Sequence, residues 1–166
     1  MKSHAQLAPH NFSWSATFAC VFIGLLLLAC VSCRTAAPLA PADLSAPGWQ
    51  LRQGQAVWKP SKNRPELAGD LLLAVNTNGD YLVQFSKTPF TLASAEVQGS
   101  RWQIGFGPRA WSGRGAPPAR FVWFQLAPLV EGKRVAERWQ ATRRPDDSWR
   151  LQNSGAGEFL EGQFFQ

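Results

Sequence analysis

The chain has 166 residues, a formal net charge of +6, and a hydrophobic fraction of 45% that includes eight Trp and eleven Phe. This length suits one domain, and so much large apolar surface excludes disorder as the state of most of the chain. The basic residues are scattered along the sequence, so we predict no nucleic-acid partner. All three cysteines lie within the first 33 residues, which excludes a disulfide framework or a thiolate metal site in the rest.

Residues 1–29 have the order of a secretory signal peptide. Residues 1–11 carry Lys2 and no acid, residues 18–29 form an apolar run of twelve, and small residues follow. Twelve residues form a helix of about 18 Å, which is shorter than the roughly 30 Å hydrocarbon core of a bilayer. The uncharged stretch 11–32 is long enough to span a bilayer, so an uncleaved anchor stays open as the alternative.

Four residues at the end of this run resemble the lipobox of bacterial lipoproteins: Leu27, Leu28, Ala29 and Cys30. The resemblance implies cleavage before Cys30, a thioether-linked diacylglycerol on its sulfur, and an N-terminal acyl chain such as palmitate. Three acyl chains hold a protein firmly on a membrane, because each buried methylene contributes about 0.8 kcal/mol. Val31 stands where an Asp resembles an inner-membrane retention signal in some bacteria. The resemblance therefore implies the outer membrane, with the domain facing the periplasm.

Cleavage before Cys30 has a consequence for chemistry. Both histidines, His4 and His10, precede the cleavage site, so His-based catalysis and metal binding are excluded in the mature chain. Cys33 forms a C-x-x-C pair with Cys30, but no second ligand pair follows, and we interpret Cys33 as a bystander. We predict that the protein is not an enzyme and that it holds no metal and no cofactor.

Residues 30–48 are predicted to form a tether. Residues 34–47 are rich in Ala and Pro and show neither helical nor alternating apolar periodicity, which is typical of an extended linker. In a polyproline-like form this segment would reach roughly 40 Å. The domain, residues 49–166, could then stand clear of the lipid surface or fold back on it.

From Trp49 onward, alternating apolar residues separated by turn residues predict antiparallel strands. A first strand is expected near residues 51–58. Hairpin turns are expected at residues 78–80, 99–100 and 145–148, where Asn-Gly-Asp, Gly-Ser and Pro-Asp-Asp-Ser occur. The pattern predicts about seven or eight strands.

One segment breaks this alternation and predicts a helix over residues 118–127. Pro117 and Pro118 stand where a helix start tolerates proline, and Gly132 is a candidate C-cap. Pro128 is expected to bend the helix or end it early. The helix is apolar on nearly all sides, so other elements must cover it. We predict a mainly β, α+β fold in which a curled antiparallel sheet or half-barrel packs against this helix.

This arrangement on a lipid-anchored chain resembles the LolA/LolB superfamily of lipoprotein carriers and receptors, through the pattern of residues 49–166 and without a shared motif. The resemblance implies a half-open barrel whose helical lid holds acyl chains. A filled core is the alternative, and the chain is short for that family. The residues expected to line such a cavity are Phe85, Ile104, Phe121, Trp123 and Phe124.

The glycine-rich stretch GFGPRAWSGRG, residues 105–115, lacks the Gly-Lys-Ser/Thr sequence of a phosphate-binding loop. Its Arg109, Trp111 and Arg114 combine cations with an interfacial aromatic residue, the residue types that settle at anionic headgroups. We therefore predict a membrane-contact loop here. Burial of Trp111 in the core is the alternative.

Paired carboxylates are the remaining route to catalysis, and solvated charges at turns and strand edges are the favoured interpretation of them. The residues concerned are Asp70, Asp80, Glu158 and Glu161. We predict a non-enzymatic envelope lipoprotein that binds a lipid or an acyl chain. The alternative is a structural or interaction lipoprotein with a filled core that binds a protein or an anionic polymer.

Overall fold

The computed structural model describes residues 38–165, so the predicted signal peptide and Cys30 lie outside the described residues. Nine strands and one helix follow one another in the described part of the chain. The strands are β1 (Trp49–Lys59), β2 (Leu67–Asn76), β3 (Tyr81–Lys87), β4 (Phe90–Gln98), β5 (Arg101–Phe106), β6 (Arg109–Arg114), β7 (Gln140–Arg143), β8 (Ser148–Asn153) and β9 (Glu158–Phe164). The helix, α1 (Trp123–Val130), stands between β6 and β7.

All nine strands form one antiparallel sheet in the order β6-β5-β4-β3-β2-β1-β9-β8-β7. The sheet is curled and unclosed, and α1 packs against it, which confirms the predicted mainly β fold. The strand count of nine corrects the prediction of seven or eight. The additional strand is β6, which the glycine-rich sequence predicts as a loop. Because β6 lies at the edge of the sheet and is largely exposed, it lacks the apolar alternation of a half-buried strand.

The two faces of the sheet differ in burial. Residues paired across neighbouring strands point to the same face. Leu73, Val83 and Ile104 are aligned in this way on the face that packs on α1, called here the helix face, and all three are fully buried. The opposite face, called the outer face, carries the alternate residues, such as Leu72 and Gln84. The core therefore lies between the helix face and α1.

The predicted hairpin turns join β2 to β3, β4 to β5, and β7 to β8. In the first of them the Asn76 N–H donates to the Asp80 carbonyl at 2.8 Å. Gly79 has a φ of 93° in this turn, a conformation that glycine adopts without a steric penalty. The Asn-Gly sequence therefore encodes this turn as expected.

Helix α1 begins later than predicted and continues past Pro128. The Phe121 N–H donates to the Pro118 carbonyl at 3.2 Å, so the prolines lead into a turn before the helix. Pro128 has no N–H to offer to the Phe124 carbonyl four residues earlier. The Tyr81 hydroxyl donates to that carbonyl at 3.3 Å. The expectation that Pro128 ends the helix early is wrong because a neighbouring strand supplies the missing hydrogen bond.

The C-terminus of α1 has the predicted glycine cap. Gly132 has a φ of 71°, and the Lys133 N–H donates to the Pro128 carbonyl at 2.8 Å, which is the long bond of a Schellman motif. The buried Gln125 then accepts the Ala136 N–H through Oε1 at 2.9 Å. This bond holds the chain that returns to the sheet against the helix.

The described end of the predicted tether lies on the sheet. The Leu39 N–H donates to Gln103 Oε1 at 2.8 Å, and Gln98 Nε2 donates to the Ala40 carbonyl at 2.9 Å. Gln98 and Gln103 lie on the outer face of β4 and β5, and Leu39 is buried against this surface. The chain is therefore attached to the domain from residue 38 onward.

Three small residues face one another across β2, β1 and β9. Gly69 pairs with Ala56, and Ala56 pairs with Gly162. A Cβ at Gly162 would overlap the Gln55 carbonyl oxygen and would come within 2.8 Å of the Trp149 indole. Neighbouring backbone already occupies the space of a side chain, so only glycine permits this close approach of strands.

Candidate functional site

An open groove of about 770 Å³ crosses β3, β2, β1, β9, β8 and β7. Strand alternation places most of its lining side chains on the outer face, away from α1. They include Gln55, Asp70, Thr142, Arg150, Glu161 and Gln163. The row of Gly69, Ala56 and Gly162 also lines this outer-face groove. Its volume is in the range of ligand-binding pockets.

Arg150 is held rigidly on one side of the groove. Its guanidinium forms a salt bridge with Glu161 and lies 4.4 Å from the centroid of the Phe159 ring. Its Nε also donates to Gln152 Oε1 at 3.1 Å. These contacts neutralise the Glu161 carboxylate and leave Arg150 little freedom to rearrange.

Three other charged residues of the groove stand outside the salt bridges found among residues 38–165: Asp70, Lys87 and Arg144. Their balance is one negative and two positive charges. The groove thus offers two cations and one carboxylate to a partner, together with amide and hydroxyl groups of neighbouring residues. Arg144 also acts on the nearby Asp146 carboxyl, where its charge contributes to a lowered pKa after the hydrogen bonds from Ser148.

Trp149 borders the groove from the core side. It is 4% exposed and packs on Phe164 with ring centroids 5.8 Å apart. Its indole N–H has no acceptor among the described residues. An unmade hydrogen bond at a buried donor costs about 1–3 kcal/mol. The Trp149 indole N–H is therefore a buried donor beside the groove that forms no hydrogen bond within residues 38–165.

The five residues predicted to line an apolar cavity lie between the sheet and α1, where they pack against one another and their neighbours. Phe85 and Trp123 have ring centroids 5.3 Å apart, and Phe121 and Phe124 have theirs 6.2 Å apart. All but Phe121 are buried. None of the five lines the outer-face groove or a second pocket of about 340 Å³. A ligand between sheet and helix would require this cluster to open.

The segment predicted as a membrane-contact loop is the edge strand β6. Arg109 and Trp111 point to the helix face, whereas Arg114 points to the outer face. Trp111 is 45% exposed and contacts the Phe106 ring with centroids 6.1 Å apart. Trp111 is therefore accessible at the edge of the sheet and is not buried in the core.

The four carboxylates considered for catalysis are distributed over three places. Asp70 and Glu161 line the groove, whereas Asp80 lies in the β2–β3 turn and accepts the Gly99 N–H at 2.6 Å. Glu158 points to the helix face of β9. Two of the four therefore share one site, and Glu161 is already paired with Arg150.

Glu158 has an altered acidity. Burial raises the pKa of its carboxyl to about 7, against the opposing effects of a hydrogen bond from Trp58 and of the Arg138 charge. The Trp58 Nε1–H donates to Glu158 Oε1 at 3.3 Å. Glu158 therefore changes charge close to neutral pH.

Sequence reasoning missed the groove and most of the exposed apolar residues. The groove joins Gln55, Asp70 and Gln163, which only the strand pairing brings together. Large exposed apolar side chains besides Trp111 are Leu51, Phe90 and Phe165. Phe90 follows a proline at a turn, and this position is a weak sequence signal that its side chain is exposed. No local sequence pattern predicts the groove.

Within residues 38–165, no group of three or more His, Cys, Asp or Glu side chains is placed to hold a metal ion. No helix in this part of the chain is both long enough and apolar enough to cross a membrane.

No protein-family model matches the chain, and a search of curated proteins also finds no match. The resemblance to the LolA/LolB superfamily therefore rests on the sequence pattern.

Proposed function

We propose that this chain is a non-enzymatic lipoprotein of the cell envelope whose β domain binds a polar partner in the outer-face groove. The observation that carries the proposal is the difference between the two faces of the sheet. The helix face is filled by the cluster around Phe85 and Trp123. The outer face has an open groove of about 770 Å³.

The lining of the groove supports an extended partner with negative or mixed charge. The groove crosses six strands, and strands lie about 4.8 Å apart, so its length along the sheet is about 24 Å. Lys87 and Arg144 stand outside the salt bridges of the described residues and suit an anionic polymer or an acidic protein segment. Asp70 suits a partner that also carries a cation.

The absence of enzymatic activity remains part of the proposal. Histidine does not occur after His10. Of the two carboxylates in the groove, Glu161 is engaged by Arg150. A general acid and base pair needs two carboxyl groups that are available to the substrate.

The lipid anchor and the outer-membrane location are supported by the lipobox resemblance at residues 27–30 alone. Mass spectrometry of the protein isolated from membranes tests them. We expect a mature chain that begins at Cys30 and carries acyl chains, including palmitate. A chain that keeps residues 1–29 would contradict this part.

Binding of an acyl chain between sheet and helix is the second candidate function. The observation that favours it is the partial exposure of Phe106 and Phe121 beside β6, on the open side of the aromatic cluster. An acyl chain would enter there and displace part of the cluster. Acyl-chain binding is also the function that the resemblance to the LolA/LolB superfamily implies.

Photo-crosslinking in the full-length protein distinguishes the two candidates. Benzoylphenylalanine is placed at Thr142 in the groove, at Gln84 on the outer face beyond the groove, and at Phe121. The groove function predicts adducts with a protein or an anionic polymer from Thr142 and none from Gln84. Acyl-chain binding predicts lipid adducts from Phe121. Equal adducts from Thr142 and Gln84 would contradict the groove function.

Charge variants test the same site independently. We expect Arg144→Gln to reduce the Thr142 adduct several-fold, because each cation near an anionic partner contributes about 1 kcal/mol. Arg134→Gln is the matched control, since Arg134 is highly exposed and pairs with Glu137 outside the groove. An unchanged adduct in Arg144→Gln would contradict an anionic partner.

A further inference from the structure

The edge of the sheet formed by β6 is rich in arginine. Between Glu96 and Glu131 the sequence contains no Asp, Glu or Lys and four arginines, which are Arg101, Arg109, Arg114 and Arg120. We call Arg109, Trp111, Arg114 and Arg120 the basic edge. All four are exposed. Such a surface is complementary to an anionic one.

An aromatic component accompanies these cations. The Arg120 guanidinium lies 4.7 Å from the centroid of the Phe121 ring, and Trp111 is 45% exposed at the same edge. Exposed Trp beside Arg is the combination that prefers the headgroup region of a bilayer, because the indole is amphipathic and the guanidinium pairs with phosphate. A bilayer surface therefore fits the chemistry of the basic edge.

The entry point of the tether lies next to this edge. An Arg101 Nη–H donates to the Pro38 carbonyl at 3.5 Å, and the Leu39 N–H donates to Gln103 Oε1 at 2.8 Å. Both partners belong to β5, the neighbour of β6 in the sheet. The chain that leads back toward Cys30 therefore leaves the domain one strand away from the basic edge.

The length of that chain limits where the anchor can be. Pro38 follows Cys30 by eight positions, and an extended chain spans at most about 3.6 Å per position, which gives about 29 Å. The chain leaves the domain at β5, so β6 lies one strand spacing away, whereas β7 lies seven strand positions away along the curled sheet. The path from the anchor to the basic edge along the sheet is therefore the shorter one.

We propose that the basic edge rests on the anionic phospholipid surface of the membrane that holds the anchor. The proposal rests on the proposed lipidation of Cys30 and deepens it by giving the domain an orientation. The basic edge faces the headgroups, and the β7 edge and the outer-face groove point toward the aqueous compartment, where a partner has access.

The experiment measures distance to the membrane at two matched positions of the full-length lipidated protein. Cys33→Ser removes the remaining thiol of the mature chain, and a fluorescent label is attached at Ala110→Cys in β6 or at Gln140→Cys in β7. Both positions are exposed and point to the outer face. Energy transfer to an acceptor-labelled lipid is measured in vesicles of phosphatidylethanolamine and phosphatidylglycerol, and in vesicles of phosphatidylcholine.

We expect higher transfer from Ala110 than from Gln140 in the anionic vesicles. The difference should shrink in phosphatidylcholine and at 1 M salt, where the Debye length is about 3 Å. Arg109→Gln, Arg114→Gln and Arg120→Gln together should abolish it, since each arginine near the surface contributes about a fivefold preference. The same change at Lys133, Arg134 and Arg138 is the matched control and should leave the difference intact.

Equal transfer from the two labels in the lipidated protein would overturn the proposal, and so would a difference that salt does not change. Low transfer from Ala110 in the anionic vesicles would show that the basic edge does not rest on lipid, which also overturns it. Mass spectrometry of Cys30 separates the causes. An acylated Cys30 with equal transfer refutes the orientation alone, whereas an unacylated Cys30 refutes the anchor and the orientation with it. The salt and lipid series uses no arginine variant, so misfolding of the triple variant does not affect it.

Discussion

The two edges of the sheet differ in how their charges are balanced. Residues 97–130, which contain β6, have four arginines and no acid. Residues 131–161, which contain β7 and β8, have six basic and six acidic residues, and pairs such as Arg143 with Asp147 and Arg150 with Glu161 form salt bridges. Basic and acidic residues are therefore equal in number near the β7 edge, whereas Arg109, Arg114 and Arg120 of the basic edge form none of the salt bridges found among residues 38–165.

Under the two proposals, one sheet presents two binding surfaces of different kinds. A surface with uncompensated charge and an exposed Trp suits a broad anionic surface that needs no exact geometry. The groove has one salt bridge, Arg150 with Glu161, and its other charged residues form none among residues 38–165, so it suits a partner that pairs with them. The chain crosses from one edge to the other through α1, so both surfaces depend on the same core.

The largest effect is expected where strands approach most closely, beside the groove. Gly162→Ala should destabilise the protein by about 2–3 kcal/mol, because the new Cβ meets backbone that cannot move away. Gly113→Ala in β6 is the matched control. Its Cβ would meet only the partly exposed Trp102 indole, at 2.5 Å, and we expect a loss of about 1 kcal/mol. Urea unfolding measures both, and equal losses would contradict the distinction.

The helix that joins the two edges provides the second test. Tyr81→Phe should cost about 1–1.5 kcal/mol, because the Phe124 carbonyl loses the donor that replaces the missing N–H of Pro128. In a Pro128→Ala background the helix supplies its own N–H to this carbonyl, so the same change should cost less than half as much. A double-mutant cycle measures the coupling. Additive effects would show that the Tyr81 hydroxyl does not compensate for Pro128.

The third test uses pH, to which the two edges should respond differently. The pKa of Glu158 is raised from 4.5 to about 7 in the native state, so this group stabilises the protein at low pH and the contribution is lost as pH rises from 4.5 through 7. The group is partly exposed, and after allowance for solvent screening we expect a loss of about 1 kcal/mol.

Glu158→Gln should remove this pH dependence of the unfolding free energy. The Trp58 indole N–H, which donates to Glu158, should titrate with a midpoint near 7 in NMR spectra. The Trp111 indole is linked to Trp58 through the Phe106 ring, so its resonance should shift much less than that of Trp58. Equal shifts of both indoles would contradict Glu158 as the group that Trp58 reports.

The smallest effect is expected for the salt bridge in the groove. Arg150 and Glu161 have side chains that are 41% and 39% exposed, and pairs of this kind contribute less than about 1 kcal/mol. Glu161→Gln should therefore cost about 0.5 kcal/mol in thermal unfolding at low salt. A loss well above 1.5 kcal/mol would show that the pair is part of the fold and not only a feature of the groove.

Local signals account for the parts of the fold that were predicted correctly. The Asn-Gly turn at residues 78–80 and the Gly132 cap depend on the conformation of one or two residues, and the alternation in β3 follows from one buried face. β6 escaped prediction because an exposed edge strand needs no alternation. Pro128 was misleading because its effect depends on Tyr81, which lies 47 residues earlier in the sequence.

The sites were less predictable than the fold. Phe85 and Trp123, which were predicted to line a cavity, lie in the core. The burial of such residues can be predicted from their apolar aromatic side chains. Whether the space among them is empty cannot be predicted in this way. The predicted segment around Trp111 is exposed, but its form is a strand whose cations point to both faces. The groove residues carried no signal because they are ordinary polar residues of alternating strands.

Local sequence is sufficient to specify most of the elements: where most strands turn, that one apolar helix interrupts them, and that the C-terminal end of that helix is capped. These follow from interactions within a few residues. The groove and the position of the tether depend on strand order, which joins distant segments. Pairing of β9 with β1 creates the outer-face groove, and docking of Leu39 on β5 places the tether beside the basic edge. Neither contact can be inferred from local periodicity, which is the same for any order of the strands.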